Sequence, residues 1–290
     1  MKKPRILVTG ASGNVGREVV SALQRFHTDT VEIVLAATSP SSIGQNNSGV
    51  ETVEFDFMRL PTVKSALRGV DTLFLLRPPP ISDVPRYIAP AIEAAKEAGV
   101  RHIVFLSLQG VERQTRTPHY AIEQYLRASG VQWTFLRPSF FMQNLSTTHL
   151  EEIRTRSEIF VPAGMGKTNF VDVRDIGEAA AHILANPQQH EGKAFDLTGN
   201  ASYTYNEIAA LLTNELGRTI RYANPSKVHF FLRKWREGTS LTFTLIMIYL
   251  YHQTISGAAD VYSSDLENLL GRSPRTIAAF IHDFRHCWIL

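Results

Sequence analysis

Three glycines near the start of the chain, Gly10, Gly13 and Gly16, follow the apolar run Ile6-Leu7-Val8 and lead into an amphipathic stretch over residues 17–26. At that junction, spaced three apart, they suit a phosphate. Gly10 permits a sharp turn off a strand, Gly13 has no Cβ and lets a diphosphate approach the backbone, and Gly16 lets the next helix pack closely. The N–H groups at the helix start, on the positive end of its dipole, favour an anion. Ser12, Asn14 and Val15 lie within the same turn and complete its candidate cofactor contacts. An ordinary strand–turn–helix without a ligand is the plain alternative. A second candidate is His119, ahead of a helix over 120–128. Histidine titrates near neutrality and suits proton transfer; a helix-start histidine that only caps or packs is the alternative.

The elements that must position these residues alternate. Strands are expected at 31–37, 52–55, 72–76, 102–107 and 131–137, with helices at 61–67, 89–98 and 120–128 between them. Connections are short, and 72–76 is apolar throughout, as in a strand buried on both faces. Strand–helix alternation of this kind predicts an α/β fold with a doubly wound parallel sheet. Ligands of such sheets sit beyond the carboxyl ends of the strands. Leu76, Arg77 and Pro78, ending the fourth strand, should therefore lie beside a ribose and diphosphate. After the second strand, Thr38-Ser39-Pro40-Ser41-Ser42 holds no Asp or Glu to grip a ribose 2′-OH. Its hydroxyls, Thr38 and Ser39 first, could bond a 2′-phosphate instead, which points to NADP(H) with NAD(H) as the alternative. A polar loop without a cofactor role remains open.

Beyond Pro138 the pattern loosens. Phe140, Phe141 and Met142 form an aromatic loop after the sixth strand; 170–176 is expected to begin a helix running to Ala185, and 195–199 to be a last strand. A helix follows over 205–216. Residues 228–232 and 241–251 both look helical, and the second is apolar nearly all round. Phe243 from that stretch, with Phe140, Phe141 and Met142, is the candidate wall of an apolar substrate pocket. A buried core helix or a dimer contact is the alternative.

The chain has 290 residues, 44% of them hydrophobic, with a formal net charge of +3. That length suits one large α/β domain with a smaller appendage. Lysines and arginines are scattered, so nucleic acid is not an expected partner. A lone cysteine, Cys287, excludes an internal disulfide framework. The apolar run behind Met1-Lys2-Lys3-Pro4-Arg5 is too short for a signal sequence, and no stretch approaches the roughly 20 residues of a membrane span. A cytoplasmic protein without membrane contact is the expectation; no metal-ligand set stands out, and a homodimer is left open.

The glycine turn, the segment from Glu123 through Arg137-Pro138-Ser139-Phe140 to Asn144, Phe170-Val171-Asp172-Val173-Arg174-Asp175-Ile176, and Gly192-Lys193-Ala194-Phe195-Asp196-Leu197-Thr198-Gly199 together resemble the NmrA-like group of atypical short-chain dehydrogenase/reductases. The likeness covers roughly the first 220 residues. It implies a Rossmann domain over residues 1–158, also using about 168–199, and a smaller, mostly helical C-terminal substrate region over 159–290. The group includes NADPH-dependent quinone reductases, isoflavone-type reductases and non-catalytic nucleotide-sensing regulators. In such proteins a carboxylate and an apolar residue after the third strand frame the adenine, here Asp56 and Phe57; Asp56 reads equally as a strand-end cap. Short-chain dehydrogenases typically use a serine on the fifth strand and a Tyr-x-x-x-Lys pair. Ser107 stands at the serine position, as a cofactor contact or a structural hydroxyl. Alignment on Glu123 puts His119 at the lysine position and Thr115 at the tyrosine position, so the proton relay is absent. The arginine that often marks NADP binding is also missing. The resemblance thus implies an NADPH-dependent reductase of a small apolar carbonyl or quinone, with Ser107 and His119 as catalytic candidates. A redox sensor that binds NADP(H) without turnover is the alternative, and nucleotide-sugar epimerase a weaker third.

Overall fold

Apolar strands set the architecture. The computed structural model describes residues 3–39 and 49–289. In chain order the elements are β1 (Arg5–Thr9), α1 (Asn14–His27), β2 (Glu32–Ala37), β3 (Glu51–Glu54), α2 (Leu60–Ala66), β4 (Thr72–Leu75), α3 (Ala89–Glu97), β5 (His102–Leu106), α4 (Pro118–Ser129), β6 (Gln132–Pro138), β7 (Phe140–Phe141), α5 (Leu150–Arg156), β8 (Glu158–Ile159), β9 (Thr168–Val171), α6 (Val173–Ala185), β10 (Lys193–Leu197), β11 (Ser202–Tyr203), α7 (Tyr205–Leu216), β12 (Arg221–Tyr222), α8 (Lys227–Arg236), α9 (Leu241–Ile255), α10 (Asp265–Leu270) and α11 (Ile277–Phe284).

Seven strands form a sheet in the order β10-β6-β5-β4-β1-β2-β3, and every pairing in it is parallel. All residues of β4 and β5 are buried, which is why each runs apolar after its first residue, Thr72 or His102. The strand order reverses at β1, which lies between β4 and β2. That is the switch point where doubly wound sheets open a crevice. α1 buries Val15, Val19, Val20 and Leu23 and packs against α6. The approach is close because Gly177 has no side chain: a Cβ there would lie 2.5 Å from the carbonyl carbon of Glu18.

The chain folds into two compact units. The first takes the residues up to Pro138, Val173–Leu197 and Asp265–Gly271; the second takes Ser139–Asp172, Thr198–Ser264 and the residues from Arg272 onward. The first holds the parallel sheet. The second holds two small sheets, β11-β9-β7 and β12-β8, with helices around a core that includes Phe170, Tyr205, Phe230, Phe280 and Trp288.

One expected element changes type. Residues 170–176 do not begin a helix: Phe170 and Val171 belong to β9, which pairs with β7 and β11, and the helix starts at Val173. Aromatic and β-branched side chains favour a pleated surface when partner strands are available, and no local pattern reveals those partners. The expected strand over 195–199 ends at Leu197. Gly199 instead donates its N–H to Asn169 Oδ1 at 2.7 Å. A Cβ on Gly199 would sit 1.9 Å from the Phe170 carbonyl oxygen, so only glycine fits against β9 there.

Candidate functional site

The glycine turn joins β1 to α1 at the carboxyl edge of the large sheet. Gly10 has φ +66°, a left-handed conformation natural to glycine. The Gly13 N–H donates to the Gly10 carbonyl at 2.9 Å and closes the turn. Gly13 is the N-cap of α1, with no capping side chain and no acidic residue in the first turn of the helix. The helix's own first turn therefore offers its N–H groups no carboxylate, which favours anion binding. A Cβ on Gly13 would meet only the Gly10 carbonyl oxygen, at 3.3 Å, and open space otherwise. Gly16 sits closer still. Its missing Cβ would lie 2.1 Å from that same carbonyl oxygen, so Gly16 lets the helix close on the turn itself. Ser12 and Asn14 are exposed, while the Val15 side chain is buried, leaving Val15 only its backbone to offer. These residues fit a diphosphate.

Neighbouring strand ends carry the other candidates. Thr9 was not singled out from the sequence, yet its buried hydroxyl donates to the Phe74 carbonyl at 2.9 Å and accepts from the Leu76 N–H at 2.8 Å. It pins the ends of β1 and β4 together, and Leu76 packs over Gly10. Thr38 and Ser39 are exposed at the end of β2; Pro40, Ser41 and Ser42 lie outside the described residues. Asp56 accepts from the Met58 N–H at 2.9 Å, a local turn that uses one carboxylate oxygen. Phe57 is buried against Phe55, with ring centroids 5.0 Å apart. Arg77 folds back on its own loop, donating to the carbonyls of Pro78, Pro79 and Ile81 at 2.7–3.0 Å. Its Nε is buried without a partner, and burial lowers its pKa.

The end of β5 and the start of α4 hold the proton-transfer candidates. The buried Ser107 hydroxyl donates to Glu123 Oε1 at 2.7 Å. Glu123 is itself 1% exposed, and Arg137 binds both its oxygens, at 3.0 and 2.7 Å. Hydrogen bonding to Glu123 raises the Arg137 pKa. Ser107, Glu123 and Arg137 thus form one charge-assisted network. In the sequence Glu123 serves only to align the helix with the family and Arg137 only as part of a resembling segment; neither is marked as a site residue. The weak signal was the four-residue spacing of His119 and Glu123 along one helix.

His119 lies half-buried against Phe105, ring centroids 6.1 Å apart. Burial first, and the Arg77 guanidinium second, pull its pKa from 6.5 to about 3. This corrects the expectation of titration near neutrality. The ring is neutral at physiological pH, so it can hydrogen-bond an oxygen but is no imidazolium acid. Of the second unit's candidates, Phe140 packs edge-on to Phe170, Phe141 is half-buried, Met142 is enclosed in the core, and Phe243 is exposed on α9.

Residues 2–247 match the model of the NmrA-like family. A curated relative, the NAD(P)H azoreductase of Xenophilus azovorans, is 35% identical over 223 residues, covering 75% of this chain and 76% of that protein. The NADPH-dependent quinone oxidoreductase of Escherichia coli, solved with NADPH, is similar with a TM-score of 0.87 and 25% identity over 97% of this chain and 99% of that one. The triphenylmethane reductase of Citrobacter sp., solved with NADP(H), is similar with a TM-score of 0.85 and 25% identity over 96% of this chain and 99% of that one. With a glycine turn open to phosphate at the switch point of a parallel sheet, and a family model matching most of its length, the chain belongs to the NmrA-like family.

Proposed function

We propose that the chain is an NADP(H)-dependent reductase whose acceptor is a small, flat, apolar quinone or carbonyl. The observation that carries this reading is the glycine turn at the start of α1, open to a diphosphate at the switch point of the parallel sheet; Ser107 is engaged by Glu123, and burial holds His119 neutral. When bound, NADPH supplies the hydride from its nicotinamide C4. The N–H groups at Gly13–Val15 would hold the diphosphate, with Leu76, Arg77 and Pro78 as its flanking contacts, Asp56 and Phe57 as contacts for the adenine, and Thr38 and Ser39 as contacts for a 2′-phosphate. His119 would orient a ribose hydroxyl or an acceptor oxygen by hydrogen bonding, and Ser107 positions the end of β5 through Glu123.

Of the two proton-transfer candidates, Ser107 is engaged by Glu123 and His119 is held neutral, so neither is a ready acid at pH 7. An acceptor must then stabilise its own negative charge after hydride arrives and take its proton from water. A quinone does this by becoming an aromatic phenolate, whereas a simple ketone becomes a strongly basic alkoxide. The quinone and azo substrates in the names of the relatives support that preference. The missing Tyr-x-x-x-Lys relay also favours a second reading, an NADP(H)-sensing regulator without turnover. Steady-state NADPH oxidation against a panel of quinones separates them. Turnover with at least one quinone supports the reductase; tight NADP(H) binding with no turnover across the panel supports the sensor.

A further inference from the structure

Helices α8 and α9 of the second unit pack against each other and bury one face each. Phe230 and the ion-paired Lys234 of α8 face inward, as do Met247 and Tyr251 of α9. Their outer faces are apolar and exposed. On α8, Val228, Leu232 and Trp235 follow at i, i+4 and i+7, a single stripe, with Val228 69% and Trp235 66% exposed. On α9, Leu241, Leu245 and Tyr249 recur every fourth residue with Ile246 beside them, all of them exposed. α9 carries no Asp, Glu, Lys or Arg. Among the described residues no helix is long and apolar enough to cross a membrane, and 15 residues reach only about 22 Å.

Charge selects the occupant of this surface. Glu237 is the sole acid between residues 227 and 255, and two carboxylates from neighbouring elements reach the pair: Glu158 binds Arg233 at 2.6 Å and Glu152 binds Lys234. Arg156, Arg233 and Lys234 hold Glu237 at 3.0, 3.2 and 3.0 Å. Arg236 is exposed and makes no ion pair among the described residues, and Lys227 is exposed with its Nζ 3.4 Å from His252 Nδ1. The surface is therefore apolar, bears Trp and Tyr, and has cations at its margins. That is the complement of an anionic lipid interface. A second copy docking through the same face would set cations against cations.

We infer that the α8–α9 pair docks the protein on a phospholipid bilayer surface with anionic headgroups. The two stripes lie in the interface plane, and Lys227 and Arg236 lie at phosphate level. This departs from the expectation of no membrane contact, which rested on the lack of a spanning segment. It is independent of the reaction proposed above. The test is co-sedimentation of the full chain with phosphatidylcholine vesicles, with and without phosphatidylserine, alongside sedimentation velocity of the lipid-free protein. The protein should bind the phosphatidylserine vesicles, and about 0.5 M NaCl should release much of it. Trp235→Glu with Leu245→Glu, both at exposed positions, should weaken binding by at least about tenfold with an unchanged circular dichroism spectrum. Should that variant lose structure, Arg236→Glu leaves the stripes intact and should by itself reduce the phosphatidylserine dependence. Failure of the wild-type chain to bind either vesicle overturns the inference. Binding indifferent to phosphatidylserine and to Arg236→Glu overturns it as well. A lipid-free dimer that the double variant dissolves, with no vesicle binding, identifies a second copy as the occupant instead.

Discussion

The glycine turn and the Ser107–Glu123–Arg137 cluster lie at the same edge of the same sheet, yet they are built in opposite ways. The turn works through backbone: its side chains are absent, exposed or turned inward, and the first turn of α1 carries no acidic residue and no capping side chain. The cluster works through side chains that already satisfy one another, with the Glu123 carboxylate bound by a serine and by two guanidinium nitrogens. One region is ready for a ligand. The other has spent its polar groups on holding β5, α4 and β6 together. An enzyme whose cofactor carries the reaction needs the first and can do without an acid in the second.

The comparison breaks most visibly at Glu123. Glu123→Ala should leave the Arg137 guanidinium without its buried counter-ion and destabilise the fold by about 3–5 kcal/mol, read as a lowered denaturation midpoint. A loss under about 1 kcal/mol would place the cluster among weak surface pairs. Gly13→Asp attacks the other side. It sets a carboxylate where the diphosphate must lie and should weaken NADPH binding at least about 100-fold, or about 3 kcal/mol, in a folded protein. Unchanged NADPH titration would remove the turn from the cofactor site.

Buried histidines give the fold a predictable acid limit. His102 and His149 are each 2% exposed, and burial lowers both to about 4. The unfolded chain takes these protons near 6.5 and the folded chain only near 4. Stability is therefore complete above pH 6.5 and falls as pH drops through that window. Each group should cost about 2 kcal/mol at pH 5. Urea midpoints at pH 7 and pH 5 check this, and His102→Gln should reduce the difference. The smallest effect concerns the choice of cofactor. The exposed Thr38 and Ser39, in a loop whose sequence over 38–42 holds no Asp or Glu, should favour NADPH over NADH by about tenfold in dissociation constant, or about 1.4 kcal/mol. Tighter NADH binding would show the hydroxyl pair was misread.

What could be read from the sequence follows the same division. The glycine turn was legible because backbone sterics act over a few consecutive residues, and the buried strands because covering both faces demands unbroken apolar runs. The cluster was not legible, since Ser107 and Arg137 stand 16 and 14 residues from Glu123 and meet only through the sheet. His119 was found by position, but its proton affinity depends on burial and on Arg77, neither of which spacing reveals. The strand β9 was misread because its partners, β7 and β11, are remote in sequence.

The central claim is that reduction proceeds without a protein acid that titrates near neutrality. It is tested most directly by the pH profile of kcat/KM for NADPH oxidation with a quinone, measured for the wild-type chain and for His119→Ala. With His119 held at about 3, the wild-type profile should show no limb near pH 6.5. The variant should lose about tenfold at most, below the roughly 10²–10⁴-fold typical of a general acid, and keep the same profile shape. A wild-type limb near 6.5 that disappears in His119→Ala, with a loss of a thousandfold or so, would make His119 the proton donor and contradict the account.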